Sequence, residues 1–107
     1  MLRIPTHLPP THPGEMLREE FLLPLEMSAQ ELAQRIHVPS RVIQSLVEEQ
    51  GEITPDLALR LSRLFGTSVE FWLNGQLAWD LYHAMHASGA ADMNKIIPLP
   101  LASPENP

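Results

Sequence analysis

Ser28-Ala29-Gln30-Glu31-Leu32-Ala33-Gln34-Arg35-Ile36-His37-Val38-Pro39-Ser40-Arg41-Val42-Ile43-Gln44-Ser45-Leu46-Val47-Glu48-Glu49-Gln50-Gly51 carries the punctuation of two short helices with a tight break between them. Ser28 and Glu31 have the spacing of a capping box, in which the hydroxyl accepts from the third helical N–H and the carboxylate reaches back. A helix from about Ser28 to His37 follows, with Leu32, Ala33 and Ile36 on one apolar face. Val38-Pro39-Ser40 breaks it, because the residue before a proline disfavours the α region. The next helix, from about Ser40 to Glu49, turns Val42, Ile43, Leu46 and Val47 inward and Arg41, Gln44, Ser45 and Glu48 outward. Gly51 closes it.

The flanking segments carry the same helical punctuation. Pro13 suits the first position of a helix that biases Glu15, Glu19 and Glu20 toward its N-terminal end. Leu17, Phe21, Leu22 and Leu25 form its apolar side, and Pro24 is expected to end or kink it. Thr54-Pro55-Asp56 is a strong start signal for a helix with the stripe Leu57, Leu61, Leu64 and Phe65, closed by Gly66. Ser68 caps a last helix that runs to about His86. In it Gln76, Asp80 and His83 share one narrow polar stripe, while Phe71, Trp72, Leu73, Leu77, Ala78, Trp79, Leu81, Tyr82 and Met85 surround the rest of the axis. A helix apolar on more than one side is buried by more than its own small core, and the extra face is expected to meet a second copy. Leu77, Trp79, Leu81 and Tyr82 are the candidate dimer residues. Trp72 is expected to anchor this helix against the first and fourth.

Composition bounds what these helices can do. The chain has 107 residues, 44% hydrophobic and 19% charged, with a formal net charge of −6 and no cysteine. This fits one globular domain, excludes disulfides and thiol chemistry, and suits a reducing cytoplasm. Its basic side chains are Arg3, Arg18, Arg35, Arg41, Arg60, Arg63 and Lys95, so no broad basic field exists for polyanions and any nucleic-acid contact is local. Prolines crowd residues 1–13 and 98–107, so both ends are expected to be flexible, with His7 and His12 in the first of them. No signal peptide or membrane span is evident. Asp80, His83 and His86 spread too widely on one helix for a chelate, and no metal site, cofactor or enzymatic motif is expected.

Two short helices joined by a tight break and braced by a third have the arrangement of a helix-turn-helix, whose second helix enters the DNA major groove. On that reading Ser40, Arg41, Gln44 and Ser45 face base edges or phosphates, while Ser28 and Gln30 meet the backbone at a helix N-terminus. Arg41 suits a guanine and Gln44 an adenine. Spacing alone leaves open the plainer reading, a small bundle whose polar face is solvated.

Further motifs bear on that choice: His12-Pro13-Gly14-Glu15-Met16-Leu17, Glu31-Leu32-Ala33, Ile53-Thr54-Pro55, Leu57-Ala58-Leu59-Arg60-Leu61 and Phe65-Gly66-Thr67-Ser68-Val69-Glu70-Phe71-Trp72-Leu73-Asn74. With them the chain, from Pro13 to about Ala84, resembles the HigA antitoxin family of the Cro/lambda-repressor-like (XRE, VapI-like) helix-turn-helix group. The resemblance implies an all-α, five-helix lambda-repressor-like domain over residues 13–86, with a flexible N-terminal segment 1–12 and a flexible tail 87–107. It also implies a cytoplasmic homodimer, nucleoid-associated when DNA-bound, that acts as an autorepressor on its own operator DNA, a palindromic site. Such a protein neutralises a small basic RelE-like ribonuclease toxin encoded beside it. For that toxin Glu15, Glu19 and Glu20 are the candidate contacts, since an acidic surface is steered toward a basic groove.

The sequence departs from the family where DNA contact is expected. The basic residue usual at Ser45 is missing, and the turn commonly written Asn-Gly-Lys-Arg-Gly reads Glu48-Glu49-Gln50-Gly51-Glu52. Three carboxylates beside a passing phosphate weaken non-specific affinity. The expectation is weak, operator-dependent binding with a shifted base preference. The alternatives are a protein-binding module that has lost DNA binding, and a solitary regulator without a toxin.

Overall fold

The computed structural model describes residues 9–87 and 89–100. His7, Arg3 and the rest of residues 1–8 lie outside them, as do Ser88 and residues 101–107. The described residues hold five main helices and a short 3-10 turn, and no strand.

Helix α1 runs through three stretches, Pro13–Leu17 as α-helix, Arg18–Leu22 as a π turn and Leu23–Leu25 as α-helix again. The π turn answers the problem posed by Pro24, whose ring would meet the carbonyl four residues back in a regular helix; widening the preceding turn lets the helix continue past it. The expected break therefore falls later, at Glu26, which takes the left-handed conformation at φ 52°. One consequence is that Leu25, expected on the apolar side, is 55% exposed, whereas Leu17 and Leu22 are buried.

The next four helices follow their caps. Helix α2 (Ala29–Arg35) starts where the Ser28 hydroxyl accepts from Glu31 N–H at 3.0 Å. The capping box is only half made, because the Glu31 carboxylate pairs instead with Arg35 at 3.0 Å one turn on. Helix α3 (Ser40–Val47) follows, and α4 (Pro55–Phe65) begins under Thr54, whose hydroxyl accepts from Leu57 N–H at 3.2 Å. Gly66 ends α4 at φ 75°, in the left-handed region only glycine enters without strain. Ser68 caps α5 (Val69–Met85) through Phe71 N–H at 3.0 Å.

The core forms where the inward stripes meet: Leu17 and Leu22 of α1, Leu32, Ala33 and Ile36 around α2, Ile43 and Leu46 of α3, Leu57, Ala58 and Leu61 of α4, and Trp72 of α5. Val42, Val47, Leu64 and Phe65 pack at its margin. Trp72 ties α5 to α1 and α4 as expected: its ring lies 5.1 Å from Phe21 and 6.3 Å from Phe65, and its indole N–H donates to the Thr67 hydroxyl at 2.7 Å.

One placement corrects an expectation and a second adds to one. His12 is not in a flexible start: it is 3% exposed, its Nδ1 accepts from Gly14 N–H at 2.9 Å as the N-cap of α1, and its ring meets Trp79 edge-on at 4.7 Å. Gln76, on the polar stripe of α5, is 7% exposed: its Oε1 accepts from Ile53 N–H at 2.7 Å, and its Nε2 donates to Asp80 at 3.0 Å. The polar stripe of α5 thus begins on the inside, where it satisfies the backbone of the loop after α3, and the apolar stripe of Leu77, Leu81 and Met85 faces outward.

Candidate nucleic-acid interface

Helices α2 and α3 owe their pose to three side chains and one glycine outside them. Arg60 on α4 donates to the carbonyls of Ile36 at 2.7 Å and His37 at 3.3 Å, while its Nε pairs with Asp56 at 2.9 Å. Arg18 on α1 donates to the Val47 carbonyl and has Glu49 at 3.8 Å. Each guanidinium thus covers orphan carbonyls at the negative end of one of the two helices. Gly14 allows α1 to touch α3 directly, since a Cβ there would stand 1.7 Å from the Leu46 carbonyl oxygen. Gln76 holds the exit of α3 by bonding Ile53.

The turns between these helices differ from the simplest sequence reading. Helix α2 ends at Arg35, and His37 makes the turn at φ 60° before Val38-Pro39; α3 ends at Val47, and Glu49 rather than Gly51 takes the left-handed position at φ 62°. Gln50 and Gly51 N–H both donate to the Ser45 carbonyl, at 2.9 and 3.1 Å.

Helix α3 splits cleanly into two faces. Ile43 and Leu46 are fully buried, whereas Ser40, Arg41 and Gln44 are exposed and Ser45 is half-buried. Ser28 and Gln30 are exposed at the start of α2, although the Ser28 hydroxyl is engaged in its cap. Among the described residues Arg41 has no ion-pair partner. Gln44 is engaged: its amide donates to the Glu48 carboxylate at 3.1 Å, one turn on. Reading a base edge with Gln44 therefore requires breaking that bond. Glu52 lines the same hollow of about 450 Å³ as Arg41 and Ser45. Of the three acids of the turn, Glu49 is partly neutralised by Arg18.

The other candidate residues fall on two further surfaces. Glu15, Glu19 and Glu20 line one hollow of about 700 Å³ floored by Met16, Phe21 and Phe71, with Glu19 held by Arg18 at 3.1 Å. Leu77 and Leu81 are 46% and 38% exposed on α5 beside Met85, but Trp79 and Tyr82 are turned to another side. Trp79 lies between His12 and His83, at 4.7 and 4.3 Å, and Tyr82 stacks on His86 at 4.2 Å. With His83 and His86 so placed and Asp80 bonded to Gln76, no metal-binding group of three side chains occurs among the described residues. No helix of the described residues is long and apolar enough to cross a membrane.

Sequence reasoning missed Arg18, Arg60, His12 and Gln76 as supports of the site. Arg60 was signalled, since it follows Asp56 by one turn inside the Leu57-Ala58-Leu59-Arg60-Leu61 motif. Gln76 carried no local signal.

An exposed polar face on the second of two short, tightly joined helices, buried on its opposite side in the core that all five helices share, defines a helix-turn-helix protein. Comparison with known proteins agrees. Virulence-associated protein I of Dichelobacter nodosus is 48% identical over 92 residues, 86% of this chain and 83% of the relative. The structure of Pseudomonas aeruginosa antitoxin HigA with higBA promoter superposes with a TM-score of 0.79 at 41% identity, covering 84% of this chain and 98% of that one. That of antitoxin GraA in complex with its operator gives 0.81 at 36% identity over 92% of this chain and all of that one. The helix-turn-helix family model matches residues 17–72, and the chain belongs to this family, in its HigA-type antitoxin branch, a group of regulators rather than enzymes.

Proposed function

We propose that the chain is an antitoxin and autorepressor: a homodimer whose two α3 helices read successive major grooves of a palindromic operator, and whose acidic α1 face binds a small basic RelE-like ribonuclease toxin. The observation that carries the DNA reading is the division of α3, with Ile43 and Leu46 fully buried and Arg41 and Gln44 exposed on the opposite side. Relatives of 41% and 36% identity bind a promoter and an operator. Arg41 acts on a guanine, Gln44 on an adenine after leaving Glu48, and Ser28, Gln30, Ser40 and Ser45 serve the backbone and groove edge. A two-fold seam through Leu77 and Leu81, with Trp79 and Tyr82 at its margin, sets the helices about one DNA turn, ~34 Å, apart. Glu15, Glu19 and Glu20, gathered around one hollow, supply the acidic contact for the toxin.

The acidic turn favours a second reading, an inhibitor whose helix-turn-helix is only scaffold, because Glu48 both holds Gln44 and repels phosphate. Mobility-shift titration with the DNA upstream of the gene, at two salt concentrations, decides between them. A shift that weakens roughly 5- to 150-fold with Arg41→Ala supports the operator reading. Absence of any shift at low salt refutes it and leaves the inhibitor.

A further inference from the structure

Away from α3 and from the outer stripe of α5, the chain holds two exposed apolar features, one edged by an unpaired cation and the other by an unpaired anion among the described residues. One is a groove of about 440 Å³ between α2 and α4, floored by Ile36, Leu59 and Leu64 and rimmed by Arg35, Arg60 and Arg63. Of that rim, Arg35 is paired with Glu31 at 3.0 Å and Arg60 with Asp56 at 2.9 Å, which leaves Arg63 as the cation able to meet an incoming acid. Leu59 is 57% exposed, and among the described residues Arg63 has no ion-pair partner. The other is the corner where α1 ends, Leu23-Pro24-Leu25-Glu26, exposed throughout. Glu26 takes the left-handed conformation at φ 52°, and it has no cationic partner among the described residues.

We propose that the α1 corner of one copy docks into the α2–α4 groove of another. Leu23 and Leu25 cover Leu59 and Leu64, and Glu26 meets Arg63. The apolar residues supply the burial and the opposite charges fix which patch meets which. The contact joins unlike surfaces, so it is heterologous and extends beyond a two-fold dimer rather than closing on itself. Its consequence is association of dimers at high local concentration, such as on neighbouring sites of one DNA.

Sedimentation velocity of the full chain over a concentration series, at low and high salt, tests this. The native chain is expected to grow beyond the species formed by Leu59→Ser. Arg63→Glu and Glu26→Arg each lower that further association ~10-fold, and combining the two in one chain recovers most of it. All four variants change exposed side chains, and thermal melts confirm that they remain folded. Growth of the native chain no greater than that of Leu59→Ser overturns the proposal, as does failure of the charge-swapped chain to recover. Loss of DNA affinity in Arg63→Glu with unchanged association also overturns it, by making the groove a phosphate contact. Neither Glu26 nor Arg63 belongs to the proposed operator or toxin surfaces, so failure here leaves those readings untouched.

Discussion

Replacing Gly14 by alanine pits local propensity against tertiary packing. In the first turn of a helix alanine is favoured over glycine by up to about 1 kcal/mol, so an isolated α1 would gain from the change. In the folded chain the new Cβ would lie 1.7 Å from the Leu46 carbonyl oxygen and 2.7 Å from its carbon, both backbone atoms that no rotamer change can move aside. Relief to an ordinary contact requires α1 and α3 to separate by more than 1 Å, which pulls Leu17 from the core beside Leu46. Overpacking of this kind costs typically 1–3 kcal/mol, and the Arg18 bond to the Val47 carbonyl is loosened with it. The net expectation is destabilisation by about 2 kcal/mol, or a midpoint lowered by roughly 8–16 °C for a domain of this size. Thermal and urea unfolding followed by circular dichroism measure it. Operator affinity, measured in the folded range, should fall as well, because the displaced element is α3. A Gly14→Ala chain as stable as the parent, or more stable, would refute the claim that this glycine exists for the close approach.

Other expectations follow from single contacts. Gln76→Leu keeps the volume but leaves the Ile53 N–H buried without an acceptor, so unfolding experiments should give a loss of about 1–3 kcal/mol, whereas Gln76→Glu should retain part of the bond. Glu48→Ala frees the Gln44 amide and removes one carboxylate from the turn, so DNA affinity at low salt should rise ~2- to 10-fold in the same mobility-shift assay; an unchanged affinity would place the turn away from the phosphates. Leu77→Glu with Leu81→Glu puts charges on the outward stripe of α5 and should give a monomer by light scattering with little loss of midpoint, since both positions are exposed in the protomer. A dimer that survives both charges lies elsewhere.

Much of the candidate interface was legible in the sequence because its signals are local. Ser28, Thr54 and Ser68 each sit at a cap position and each makes the cap bond, and the three-and-four spacing of Ile43 and Leu46 placed Arg41 and Gln44 on the solvent side. Caps act across three residues and helix faces repeat every turn, so both are written into short windows of sequence. Lengths were less legible: helices α2 and α3 end earlier than expected, where His37 and Glu49 turn left-handed, and Arg60 and Arg18 from other helices take up carbonyls left at their ends.

Local pattern along the chain was thus enough to establish that it is helical, where its helices start, and which side of α3 is polar. Folding in three dimensions was needed to make His12 a buried cap, to make Gly14 a backbone contact, to accommodate Pro24 behind a π turn, and to begin the polar stripe of α5 on the inside. Periodicity assigns residues to common faces but does not say which face meets which neighbour. The partner of Gln76 lies 23 residues away in the chain, and only folding brings the two together.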